Sequence, residues 1–119
     1  LTILNSRVNV IGIDPAGMTG IRNVVINNSQ IQVSGTGNVR GFAPSSGSVI
    51  NATNTNVTVT NTGIGGNAIT LFGTGPITVT GGALTVMGDG AEINTNSNPA
   101  TTIQGSTVCQ VNGTTVVCP

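Results

Sequence analysis

The sequence predicts an all-β fold, a parallel β-helix of about five coils that ends in a C-terminal hairpin. Three observations predict it. One motif recurs along the chain at a short, drifting interval. Its short apolar runs alternate with polar residues at the period of a strand, and no stretch carries a helical period. Clusters of turn residues (GTG, PSSG, GIGG, TGG, GDG) separate the runs.

The first coil is read from LTILNSRVNVIG. Laid over VVINNSQIQVSG it realigns, with Ile3 on Ile26, Asn5-Ser6 on Asn28-Ser29, Val8 on Ile31, Val10 on Val33 and Gly12 on Gly35. NATNTNVTVTN supplies a third copy, with Val57 and Val59 in the places of Ile31 and Val33. LFGTGPITVTG, further along, is aligned as a fourth, with Ile77 and Val79 in those places. ALTVMGDGAEI and TTIQGSTVCQV read as further, more degenerate coils. Val8, Val10, Ile31, Val33, Val57, Val59, Ile77 and Val79 are therefore expected to point into one core. A repeat this short cannot bury its apolar face alone, whereas stacked coils can. The alternative is an antiparallel β-sandwich. It gives no reason for the Asn-Ser or Asn-Thr pair to recur before each apolar pair, and Phe42 and Phe72 are its only aromatics.

The chain ends in VCQVNGTTVVCP. Asn112-Gly113 between β-formers is a type I′ hairpin signal. The hairpin, residues 108–119, brings Cys109 and Cys118 together, so a disulfide is expected and with it an oxidising compartment. With no His and no third Cys, the pair is not expected to bind metal. Residues 1–119 suit one domain.

Composition narrows the function. Three arginines (Arg7, Arg22, Arg40) and three acids (Asp14, Asp89, Glu92) are the only charged side chains. Low charge with abundant Val, Ile and Leu argues against disorder. Three arginines without Lys make no nucleic-acid surface. No apolar run approaches the length of a membrane helix. The opening residues lack the charged and apolar regions of a signal peptide. The remaining surface is neutral hydroxyl and amide, with little charge repulsion to keep copies apart.

No enzyme is expected, and no cofactor. Asp89 and Glu92, in GDGAEI, are the nearest approach to a glycosidase pair, but nothing marks a partner for them. They read as solvated acids beside a turn, too few for calcium. No His or Lys base exists to activate a serine. The GTG segments lack the spacing of a nucleotide loop and read as turns. Sequons at Asn27, Asn51, Asn56 and Asn112 are what this composition yields by chance.

ILNSRVNVIG, INNSQIQVSG and TNTNVTVTNTG give the chain a character that resembles bacterial secreted and surface β-helix proteins of the haemagglutinin and autotransporter-passenger type. The resemblance implies an extracellular, adhesive or matrix role. In the aligned coils Thr58, Thr60, Thr78 and Thr80 form one outward face, a candidate contact surface for a neighbouring rod or for glycan. Thr-x-Thr arrays also resemble those of some β-helical antifreeze proteins, which makes ice binding a third reading. The chain opens inside a repeat, so Thr2, Ile3 and Leu4 are the candidate assembly strand. The leading expectation is a self-assembling extracellular structural protein, such as a filament, sheath or matrix-fibre subunit. An adhesin or carbohydrate-binding module at the cell surface comes second.

Overall fold

The computed structural model describes residues 1–20, 22–96 and 101–119. Each turn of the chain lays down three short strands, one on each of three parallel sheets, A, B and C. Thr2–Leu4 (β1), Arg7–Ile13 (β2) and Ala16–Thr19 (β3) form the first turn. Asn23–Asn27 (β4), Gln30–Thr36 (β5) and Asn38–Ala43 (β6) form the second. Val49–Thr53 (β7), Asn56–Asn61 (β8) and Asn67–Leu71 (β9) follow, then Ile77–Thr80 (β10), Ala83–Met87 (β11) and Ala91–Asn94 (β12). Thr102–Gln104 (β13) and Val108–Val111 (β14) begin a fifth turn, and Thr114–Val116 (β15) folds back antiparallel on β14. The chain is thus a β-solenoid of about four complete turns, the all-β parallel architecture expected, and not a sandwich.

Alternation explains the strands. In β5, Ile31 and Val33 are buried while Gln30 and Gln32 face solvent, as the two-residue period of a pleated strand requires. In-register stacking turns that alternation into columns. On sheet B, Val8, Ile31, Val57, Leu84 and Cys109 stack in one inward column, and Val10, Val33, Val59, Val86 and Val111 in the next. On sheet A, Ile3, Ile26, Ala52, Val79 and Ile103 stack, with Val24, Ile50 and Ile77 beside them. Phe42 lies between Met18 and Leu71. All eight residues expected inside do face the core, Val8 and Val10 only partly covered.

One alignment needs correction. Ile77 and Val79 do not continue the column of Val57 and Val59; Leu84 and Val86 do. Ile77–Thr80 belongs to sheet A, above Ile50–Thr53. Both strands read apolar-Thr-apolar-Thr, and the feature that separates A from B is the corner between them. That corner holds Asn5-Ser6, Asn28-Ser29 and Asn54-Thr55, but Gly81-Gly82 in the fourth turn.

The corner has a physical logic. Asn5, Asn28 and Asn54 sit at φ 49, 52 and 48°, and Gly81 at 68°, the left-handed region that Asn and Gly tolerate. The next residue turns its hydroxyl back: Ser6 Oγ donates to the Leu4 carbonyl (2.6 Å), Ser29 Oγ to Asn27 (2.8 Å) and Thr55 Oγ1 to Thr53 (3.0 Å). Ser29 Oγ also accepts from the Ser6 amide at 3.1 Å, joining two turns. Sheet C approaches sheet B closely through Gly41. A Cβ there would lie 2.6 Å from the Thr70 carbonyl oxygen and 3.0 Å from Val57 Cγ1.

The C-terminal hairpin is as expected. Asn112 (φ 48°) and Gly113 (φ 81°) make a two-residue turn with both φ positive, the type I′ geometry that suits strand twist. Cys109 and Cys118 are joined, with Cα atoms 5.3 Å apart.

Candidate functional site

The chain presents two outer features of interest: the polar face of sheet B, and the rim formed by β1, β2 and β3. On sheet B, Asn9, Gln32, Thr58, Thr85 and Gln110 form one outward column, and Ile11, Ser34, Thr60 and Met87 the next. A shallow groove of about 360 Å³ runs along them, bordered at opposite ends by Ile11 and Met87. Thr58 and Thr60 line it.

Thr78 and Thr80 lie elsewhere, on sheet A, in columns with Asn51 and Thr53 below and Thr102 and Gln104 above. The four threonines are therefore not one face. Sheets A and B each carry Thr-x-Thr on a single rung, so the regular two-rung array read from the aligned sequence is not formed. The cause is the corner misassignment described above.

The rim is the edge of the first turn. Of the candidate assembly strand, Thr2 and Leu4 face solvent and Ile3 faces the core, partly covered. The larger part of the edge is β2, which pairs with β5 on one side only. The Ser6 carbonyl and the Asp14 amide both turn towards β5, bonding Gln30 and Thr36 at 2.8 and 2.9 Å. By the two-residue period of a strand, the amides of Arg7, Asn9, Ile11 and Ile13 face the open side. Above the rim, Ile26, Ile31 and Val33 are buried to 1% exposure or less, whereas their partners Ile3, Val8 and Val10 are only partly covered. Ile11 and Ile13 are 74% and 81% exposed. Sequence reasoning named β1 as a candidate assembly strand and did not consider β2. The signal was present in Ile11 and Ile13, two large aliphatics on a polar alternation.

Two of the three acids are engaged with the backbone. Asp14 Oδ1 accepts from the Asn38 amide (2.7 Å) and Asp89 Oδ2 from the Gly65 amide (2.8 Å), each bridging adjacent turns. Asn112 Oδ1 does the same for Gly88 at 2.8 Å. Glu92 is exposed on sheet C. Arg7 Nε donates to Gln30 Oε1 at 3.0 Å, and the Arg40 guanidinium lies 3.8 Å from the centre of the Phe72 ring, a cation–π contact. Among the described residues, no three His, Cys, Asp or Glu side chains gather as metal ligands. No helix there is long and apolar enough to cross a membrane.

Comparison with protein-family models, with curated proteins and with solved structures gave no match. The functional reading accordingly rests on the chain's own geometry.

Proposed function

We propose that this chain is a non-enzymatic, self-associating structural protein of an extracellular setting. The outer faces carry the reading: Ile11, Ile13, Val25, Met87 and Val108 are exposed among neutral hydroxyl and amide side chains. Apolar side chains left on the surface mark places where another protein surface can pack. The disulfide favours an oxidising compartment, and a surface with three cations and three anions does little to keep copies apart. The commitment of Asp14 and Asp89 to backbone amides leaves them poorly placed for acid–base work.

Sedimentation over a concentration series, at low and at molar salt, tests it. Mass rising above 11.8 kDa in both salts supports the reading, because few charges are available to be screened. A monomer throughout overturns it. The sheet B groove supports a second reading, glycan binding, since its Gln32, Ser34, Thr58 and Thr60 side chains offer neutral hydrogen-bonding groups. A glycan array on which a hit is lost in Thr58→Ala would favour that alternative.

A further inference from the structure

We infer that Ile64 is a docking knob, and that it seats in the sheet B groove of a second copy of this chain. The inference rests on the self-association proposed above and names the two surfaces that meet.

The knob stands on the loop between β8 and β9. Ile64 is flanked by Gly63 and Gly65, so neither chain neighbour has a side chain to screen it, and it is fully exposed. A lone exposed aliphatic needs no explanation by itself. This one is held out by a rigid support. Asn61, itself buried, donates from Nδ2 to the Gly65 carbonyl (2.7 Å) and accepts at Oδ1 from the Gly63 amide (3.0 Å). Asp89 Oδ2 accepts from the Gly65 amide (2.8 Å), and the Thr62 amide donates to the Gly35 carbonyl (2.8 Å). The residues on both sides of Ile64 are therefore fixed before any partner arrives, which lowers the ordering cost of docking this loop.

The groove matches it. In one of its columns Ile11 and Met87 stand at the ends, with the small Ser34 and Thr60 between them. Three strand spacings separate those ends, roughly 14 Å. The space of about 360 Å³ is enough for one aliphatic side chain with glycine backbone on either side. Ile11 and Met87 supply apolar flanks, while Gln32, Ser34, Thr58 and Thr60 supply hydroxyl and amide partners for the peptide groups of the loop tip. Charge agrees. No residue lining the groove is charged, and none from 62 to 66 is. Asp89, at the base of the loop, is already bonded to Gly65. A charged partner would leave its charges unpaired in this groove, whereas the chain's own loop brings none. Knob and groove are separate patches, so a copy whose knob is seated still offers its groove to another copy.

The experiment is sedimentation of the whole chain and two variants, alone and mixed. Ile64→Ser removes the knob, and Thr60→Arg fills the groove. Neither side chain belongs to the core, so both variants should melt with wild type. Each alone should associate roughly tenfold or more weakly than wild type, the effect of withholding one aliphatic side chain from a contact. Mixed in equal amounts they should pair again, near twice 11.8 kDa, because one brings an intact groove and the other an intact knob. Wild type that associates while Ile64→Ser matches it overturns the knob and leaves self-association standing. Two weakened variants that fail to restore each other overturn the seating of Ile64 in this groove. A wild type that is monomeric at every concentration overturns self-association itself, and a glycan-array hit lost in Thr60→Arg would then assign the groove to neutral glycan.

Discussion

Leu84→Ala tests the corrected register most directly. Leu84 is fully buried inside the sheet B column, with Val57 on one side and Cys109 on the other. Removing a buried Leu side chain to Cβ costs about 2–5 kcal/mol, depending on how far the site collapses. Collapse is limited here. Val57 is β-branched and stiff at χ1, Cys109 is held by its disulfide, and both strands are pinned in register. The loss should therefore lie in the upper half of that range, roughly 3–5 kcal/mol. Against a typical domain stability of about 5–15 kcal/mol, this is a large fraction. At about 4 °C per kcal/mol for a chain of this size, the melting midpoint should fall by more than roughly 10 °C. Urea unfolding should show a lower midpoint with the same slope. Val8→Ala, in the same column but on the partly covered rim, should cost about 1 kcal/mol. A Leu84→Ala protein within about 0.5 kcal/mol of wild type, or a Val8→Ala protein hit as hard, would refute the column as described.

Asn28→Ala should lose about 1–2 kcal/mol, because Ala lacks the short polar side chain that offsets the cost of the left-handed region for Asn, while Asn28→Gly should stay near wild type in the same melt. Cys109→Ser with Cys118→Ser should lose about 2.5 kcal/mol, the loop-closure term for two cysteines at a sequence separation of 9; intact mass of the unreduced wild type showing two alkylatable thiols would remove the bond. Asp89→Asn with Glu92→Gln should leave folding and self-association intact, because Asn at 89 keeps an acceptor for Gly65. Any polysaccharide hydrolysis by wild type that this pair abolishes would overturn the non-enzymatic reading.

Much of the fold was legible because its determinants are local. Asn112-Gly113 specifies its own turn, and the cysteines on either side specify the bond. The Asn-Ser and Asn-Thr pairs mark three left-handed corners, and the alternation after each marks an inward pair. Legibility failed where the corner changed chemistry. Gly81 takes the positive φ of Asn54 without its side-chain signature. ITVT and VTVT then look alike, although one lies on sheet A and the other on sheet B.

The drift in repeat length follows from the same division of labour. Sheet A advances turn by turn from Ile3 to Ile26, Ala52 and Val79. Sheet B advances from Val8 to Ile31, Val57 and Leu84 in the same unequal steps, so the two sheets keep pace. They do so because the A–B corner is the same two-residue unit in each of the first four turns. Sheet C departs. Its step from Val39 to Ala68 is longer than the matching step from Ile31 to Val57, and its step from Ala68 to Ala91 is shorter than that from Val57 to Leu84. The surplus is taken up between β8 and β9, where Ile64 is fully exposed. Asn61, itself 4% exposed, ties that loop down through Nδ2 to the Gly65 carbonyl (2.7 Å) and Oδ1 to the Gly63 amide (3.0 Å). A long loop adds little closure entropy, whereas a one-residue slip in a strand would turn its apolar side chains outward. Length variation is therefore absorbed at the B–C and C–A corners, and the A–B corner, two residues long in each of the first four turns, holds sheets A and B in common register.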